Sequence, residues 1–212
     1  MNRTLTCIHD PIGGKLALLL LVGLFAAQAR AIDITPLGGS QGGGSLRHIA
    51  SDETLHFAQS PMRGLLLGWE LDPERDLELL YQRQATTLRS DNSAIPEADL
   101  LALEIHTLHL GGTVLSAERH HLRAFLSGGL GLTHYAPALG GASSETHASL
   151  SLGVGAKWLP TRNLGLRLEA RGYGTLFNHN TTIFCSGGCR FSVSGDLLSH
   201  YTLFTGIIIR LE

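Results

Sequence analysis

Few residues of this 212-residue chain have the types and spacing that chemistry needs. Cys185 and Cys189 form a C-x-x-x-C pair, with His179 a few residues upstream. In an oxidising compartment two such thiols close a disulfide, and so short a loop contributes about 2 kcal/mol, locally. The same thiolates with His179 are the alternative, a metal site that still lacks a clear fourth ligand. Ser199 and His200 are adjacent, so in a strand their side chains point to opposite faces. Gly38-Gly39-Ser40-Gln41-Gly42 has the G-x-S-x-G spacing, but no helical pattern follows it to form a nucleophile elbow, and Gly42-Gly43-Gly44 precedes neither a helical pattern nor a Lys-Ser/Thr pair. His106 and His109 are an odd number of residues apart and cannot converge on one metal in a regular strand. His120-His121 reads as a solvated pair in a turn. His134, His147, His179 and His200 gather toward one end, as polar loop composition or as a weak metal or pH-responsive surface. These residues define no enzyme, and they call for no cofactor.

A second set is richer. Glu70, Glu78, Glu104 and Glu169 share a strand face with Arg123, Lys157, Arg167, Arg171 and Arg210, interleaved with Gly68, Gly129, Gly153, Gly155 and Gly206. On a solvated face, glycine weakens a strand for no return. Inside a narrow barrel it makes room for long charged side chains reaching across from opposite strands. Four acids against five bases suit a paired network in a lumen. Over the whole chain Lys and Arg number 16 against 18 Asp and Glu, so no basic field exists to hold a nucleic-acid backbone.

The elements that must carry these residues follow from periodicity. Arg3 and Lys15, the uncharged run Leu16 to Ala27, and Ala29-Arg30-Ala31 have the order of a secretory signal peptide with its cleavage site. Twelve residues rise about 18 Å as a helix, too short to span a membrane. Residues 1–31 are therefore expected to be a cleaved leader, which removes Cys7, and residues 32–212 a barrel domain. Beyond it apolar and polar residues alternate with period two. The alternation is cleanest over His147 to Trp158, Asn163 to Phe177, Leu122 to His134 and His200 to Leu211. Met62 to Leu71, Asp76 to Gln84 and Leu100 to Leu115 alternate less cleanly. The last of these shifts phase near Leu108 to Leu110, which predicts a β-bulge. Ile32 to Gly44 is rich in glycine and is assigned as the strand that closes the barrel.

The connections alternate in length. Those at Asp72 to Arg75, Ser116 to His121 and Pro160 to Arg162 are short. Those at Ser45 to Ser60, Ala85 to Asp99, Ala136 to Thr146 and Asn178 to Ser199 are long. In an up-and-down meander this places every short turn at one end, as in outer-membrane barrels with short periplasmic turns. With that orientation Trp69 and Trp158 fall near the periplasmic interface, and Phe177 and Tyr201 near the outer rim, as interface aromatics.

The segments Leu77-Glu78-Leu79-Leu80-Tyr81, Leu108-His109-Leu110-Gly111-Gly112-Thr113 and Leu164 to Tyr173 resemble a family of small outer-membrane β-barrel proteins, as does the loop Cys185-Ser186-Gly187-Gly188-Cys189. The resemblance implies an eight-stranded antiparallel up-and-down transmembrane β-barrel of the OmpA type, in the outer membrane of a Gram-negative bacterium. Such families seldom imply a defined activity. The expected role is structural or interactive, through the long outer loops and an unidentified loop ligand. The expected partners are outer-membrane lipid and, during biogenesis, the barrel-assembly machinery. A narrow porin-like solute channel and a soluble periplasmic lipocalin-like carrier are the alternatives. Nine lumen charges and Tyr173 are expected to fill the interior.

Overall fold

A computed structural model describes residues 31–43, 45–48, 54–90, 101–137, 144–176, 182–183, 191–192 and 197–211. Its strands are β1 (Ile32–Gly42), β2 (Ser45–His48), β3 (Thr54–Phe57), β4 (Ser60–Asp72), β5 (Arg75–Ser90), β6 (Leu101–Leu115), β7 (Leu122–Pro137), β8 (Glu145–Trp158), β9 (Leu164–Leu176), β10 (Thr182–Ile183), β11 (Phe191–Ser192) and β12 (Leu197–Leu211). Eight of these are long. Each long strand pairs antiparallel with its neighbours in the order β1-β4-β5-β6-β7-β8-β9-β12, and β12 pairs back onto β1. The sheet therefore closes on itself and leaves no long edge. The glycine-rich β1 is the closing strand, with Ile34 opposite both Ile209 of β12 and Leu67 of β4. Pro36 keeps its register opposite Leu65 of β4, while the pairing of β1 with β12 is interrupted at Thr35 and Pro36, where proline has no N–H to give.

Two short turns show their mechanism. Between β4 and β5, the Asp72 carboxylate accepts the Glu74 N–H at 2.9 Å and pairs with Arg75 at 2.9 Å, an Asx-type turn. Between β6 and β7, His120 and His121 sit at φ of 52° and 63°. Arg119 and Leu122 exchange both backbone hydrogen bonds around them. This is the two-residue hairpin geometry in which both central residues need positive φ. The long connections lie at the opposite end. There β3 pairs with the end of β5, β2 with β3, β11 with β2 and β10 with β11, so parts of two long connections extend the sheet beyond the barrel.

The two faces of the barrel are inverted relative to a soluble protein. Leu126, Leu130 and Leu152 are 66%, 71% and 70% exposed on the outside. Asp76, Glu78, Lys157, Arg167, Glu169 and Arg171 are buried inside. The expected bulge in β6 does not form. Its pairing with β5 and β7 runs without interruption from Leu103 to Val114. The apolar set changes face while the register stays constant: Leu103 and Ile105 are buried inside, whereas Leu108 and Leu110 are exposed outside. The strand rises beyond the outer apolar belt, so its outward positions become Glu104 and His106 while its inward positions become apolar.

The interior is not filled by charge alone. Leu37, Met62, Leu66, Leu80 and Phe204 form a buried apolar cluster on the β1, β4, β5 and β12 side. Several of these inward positions stand beside outward apolar residues, Leu66 between Leu65 and Leu67 and Leu80 between Leu79 and Tyr81, so composition by itself hides the cluster.

Candidate functional site

The charged centre of the lumen is built from three strands, β5, β8 and β9. Glu78 on β5 accepts from Arg167 at 2.6 and 3.1 Å and lies 3.4 Å from Arg171 and 3.6 Å from Lys157. Glu169 lies between Arg167 and Arg171 on β9, with contacts of 2.6 Å to each. Alternation makes this possible, because residues two apart on a strand share a face. The Ser127 hydroxyl of β7 donates to the same carboxylate at 2.6 Å. Lys157 pairs with Asp76 at 2.6 Å. Three carboxylates thus meet three cations, and no charge in this set lacks a counterion. Phe125 lies beneath the Arg167 guanidinium, 4.3 Å from ring centroid to the central carbon.

Gly153 explains how the strands approach closely enough. A Cβ at that position would stand 2.6 Å from Glu169 Oε1 and 2.5 Å from Ser127 Oγ. A side chain there would displace the carboxylate from its partners.

A second ion cluster sits at the short-turn end. Arg210 grips Asp33 bidentately at 2.8 and 3.0 Å and reaches Glu70 at 3.4 Å. Toward the other end the lining is mostly uncharged hydrogen-bonding side chains, with Glu145 held by His147 at 3.0 Å. His109 bridges Ser151 at 2.9 Å and Ser149 at 2.7 Å, and Thr133 donates to Ser149 at 2.9 Å. The Tyr173 hydroxyl donates to Gln82 at 2.8 Å, and its ring stacks on His200 with centroids 4.8 Å apart.

The expected lumen set is therefore divided. Glu78, Lys157, Arg167, Glu169 and Arg171 meet in the centre, and Glu70 and Arg210 meet at the short-turn end. Two assignments need correction. Glu104 lies on the outer surface, where it pairs with Arg83 at 2.6 Å and His106 at 3.3 Å. Its even-numbered position in the unbroken register of β6 places it opposite in facing to Leu103 and Ile105. Arg123 shares the inward face with its register partner Lys157 but lies at the short-turn end, where its guanidinium donates to the carbonyls of Ser116 and Pro73 and, among the described residues, reaches no carboxylate. Asp33 and Asp76 complete the clusters and lie outside the set expected from the alternation. For Asp76 the signal was available, since it stands two residues before Glu78 in a strand.

Among the interface aromatics, Trp158 and Tyr201 project outward and are 44% and 56% exposed. Trp69 occupies an outward register position, opposite Ile32 and Leu77, yet is covered by its neighbours. Phe177, Cys185, Cys189, His179 and the expected leader up to Arg30 lie outside the described residues. Among the described residues no group of three or more His, Cys, Asp or Glu could hold a metal ion.

A closed eight-stranded antiparallel barrel with charges inside and leucines outside has the fold of the small outer-membrane β-barrels. Solved structures of that class match it. The barrel of Neisserial surface protein A superposes with a TM-score of 0.58 at 13% identity, over 84% of this chain and 96% of that one. The solid-state NMR structure of outer membrane protein AlkL in lipid bilayers gives 0.57 at 8% identity, over 100% and 98%. The outer membrane protein OprG from Pseudomonas aeruginosa gives 0.55 at 10% identity, over 85% and 96%. No protein-family model matches the sequence, and no curated relative does.

Proposed function

We propose that this protein is an outer-membrane barrel whose lumen is closed and whose role is structural or surface-interactive, through its long connections. The observation that carries the reading is the inversion of its faces. Monomeric soluble proteins rarely expose contiguous apolar patches above a few hundred Å². Here leucine, valine and isoleucine project outward from successive strands around the wall, while the charged side chains sit inside. Lipid is the solvent that suits such a wall, and a closed barrel satisfies every backbone group within it. Strands of 13 to 16 residues, such as β4 and β5, exceed the roughly 9–11 that a tilted strand needs to span a bilayer.

In this reading residues 1–31 direct export, the barrel-assembly machinery inserts the strands, and the short turns face the periplasm. The long connections then stand at the cell surface, where a pair between Cys185 and Cys189 would brace the last of them and a loop ligand would dock. The ion clusters and the apolar cluster together occupy the lumen, which opposes a free solute path.

Cell fractionation with boiled and unboiled gel lanes tests the reading. The expected result is outer-membrane recovery and a band that changes mobility on boiling. Recovery in the soluble periplasmic fraction, with no mobility change, would favour the lipocalin-like carrier and overturn it.

A further inference from the structure

The outer wall changes character within a single cross-strand row. Leu65, Tyr81, Leu108, Leu132 and Ala148 are successive register partners across β4 to β8, and all face outward. One step toward the long-connection end, the partners are Arg63, Arg83, His106, His134 and Thr146. An apolar row thus gives way at once to a cationic and hydrogen-bonding row.

Several features of that second row point to an anion. Arg63 and Arg83 are direct cross-strand partners, like charges whose repulsion a bound anion would relieve. Glu104 pairs with Arg83 at 2.6 Å and offsets one of the two charges, which leaves the surplus at Arg63. Arg63 is exposed and, among the described residues, makes no ion pair. His106 is held by the Tyr81 hydroxyl at 2.9 Å and by Glu104 at 3.3 Å, and His134 by Thr146 at 2.8 Å, so the row is ordered along its length. Beside the two arginines lies a groove of about 280 Å³ lined by Pro61, Met62, Arg63, Arg83 and Ala85.

We propose that Arg63 and Arg83 bind the phosphate of an outer-leaflet lipid, whose acyl chains lie along the leucine rows beneath. The proposal rests on the membrane reading above. It names a lipid because the cations stand immediately above exposed Leu65 and Tyr81, the level at which a headgroup meets its hydrocarbon. Arginine suits the task because its planar fork matches phosphate oxygens in pairs.

The test uses the protein refolded in detergent micelles, with its boiling-dependent mobility checked first. Native mass spectrometry then measures retention of diphosphoryl lipid A, of the same lipid after dephosphorylation, and of diphosphoryl lipid A against excess inorganic phosphate. Preferential retention of the phosphorylated lipid is expected, weakened at least about tenfold in Arg63→Ala and Arg83→Ala, a loss of about 1.4 kcal/mol. Arg63→Lys should restore part of it, and Arg162→Ala, at the opposite end of the barrel, should leave it unchanged. Equal retention of both lipids by a correctly folded wild type would overturn the proposal while leaving the membrane reading intact. Full displacement by inorganic phosphate would also overturn it, because the site would then bind a free anion. A wild type with no mobility change that stays in the soluble fraction would overturn both.

Discussion

At the scale of single residues, burial separates two carboxylates that look alike in sequence. Glu169 is fully buried between Arg167 and Arg171 and also accepts from Ser127. Removing one partner of a buried pair leaves an uncompensated charge and typically costs about 3–5 kcal/mol. Glu169→Ala should lower stability by that order in urea unfolding of the micelle-refolded protein. Glu104 holds Arg83 just as closely, but both side chains are about two-fifths exposed. Water screens that pair, so Glu104→Ala should leave the midpoint close to that of the wild type in the same titration. Equal losses from the two variants would mean that the lumen is wet.

At the scale of elements, the turn between β6 and β7 stores a small, removable strain. His120 and His121 both hold positive φ, which histidine adopts far less readily than asparagine or glycine. His120→Asn with His121→Gly keeps the turn geometry and relieves both residues. The double variant should unfold at higher urea, by about 1 kcal/mol. A lower midpoint would show that the imidazoles stabilise the turn by a contact worth more than the strain, such as the one between His121 and Glu118 at 3.6 Å.

At the scale of the whole molecule, a barrel in the proposed membrane setting would owe its permeability to its contents and its orientation would be read from its connection lengths. Three cations and three carboxylates hold one side of the lumen, and Leu37, Met62, Leu66, Leu80 and Phe204 hold the other. Planar bilayers should show no large, stable wild-type conductance. Any residual conductance in Glu169→Ala should favour anions, because the substitution leaves surplus positive charge. A steady wild-type pore would instead establish the channel alternative. Protease added to intact cells should cut within residues 45–60, 85–99, 136–146 or 178–199 and spare Asp72 to Arg75; cutting at that short turn would reverse the orientation. Thiol labelling of denatured, unreduced mature protein should find no free cysteine, whereas two labelled thiols would favour metal ligation by Cys185 and Cys189.

Much of this architecture is legible without coordinates, because the information is local. Period-two alternation from His147 to Trp158 and from Leu164 to Leu176 marks two faces of a strand, and the alternation of short and long connections implies a meander. Arg167, Glu169 and Arg171 must share a face whatever the fold, since they are spaced by two. Three things are not local. Leu100 to Leu115 carries leucines on both faces, so its change of apolar face imitated a bulge and put Glu104 inside. Glycine-rich β1 has little pattern of its own, and only its pairing with both β4 and β12 makes it a closing strand. Glu78 meets Arg167 across a separation of 89 residues. No sequence spacing encodes that contact, because the stagger of the closed sheet decides which inward side chains from non-adjacent strands stand at the same height in the lumen.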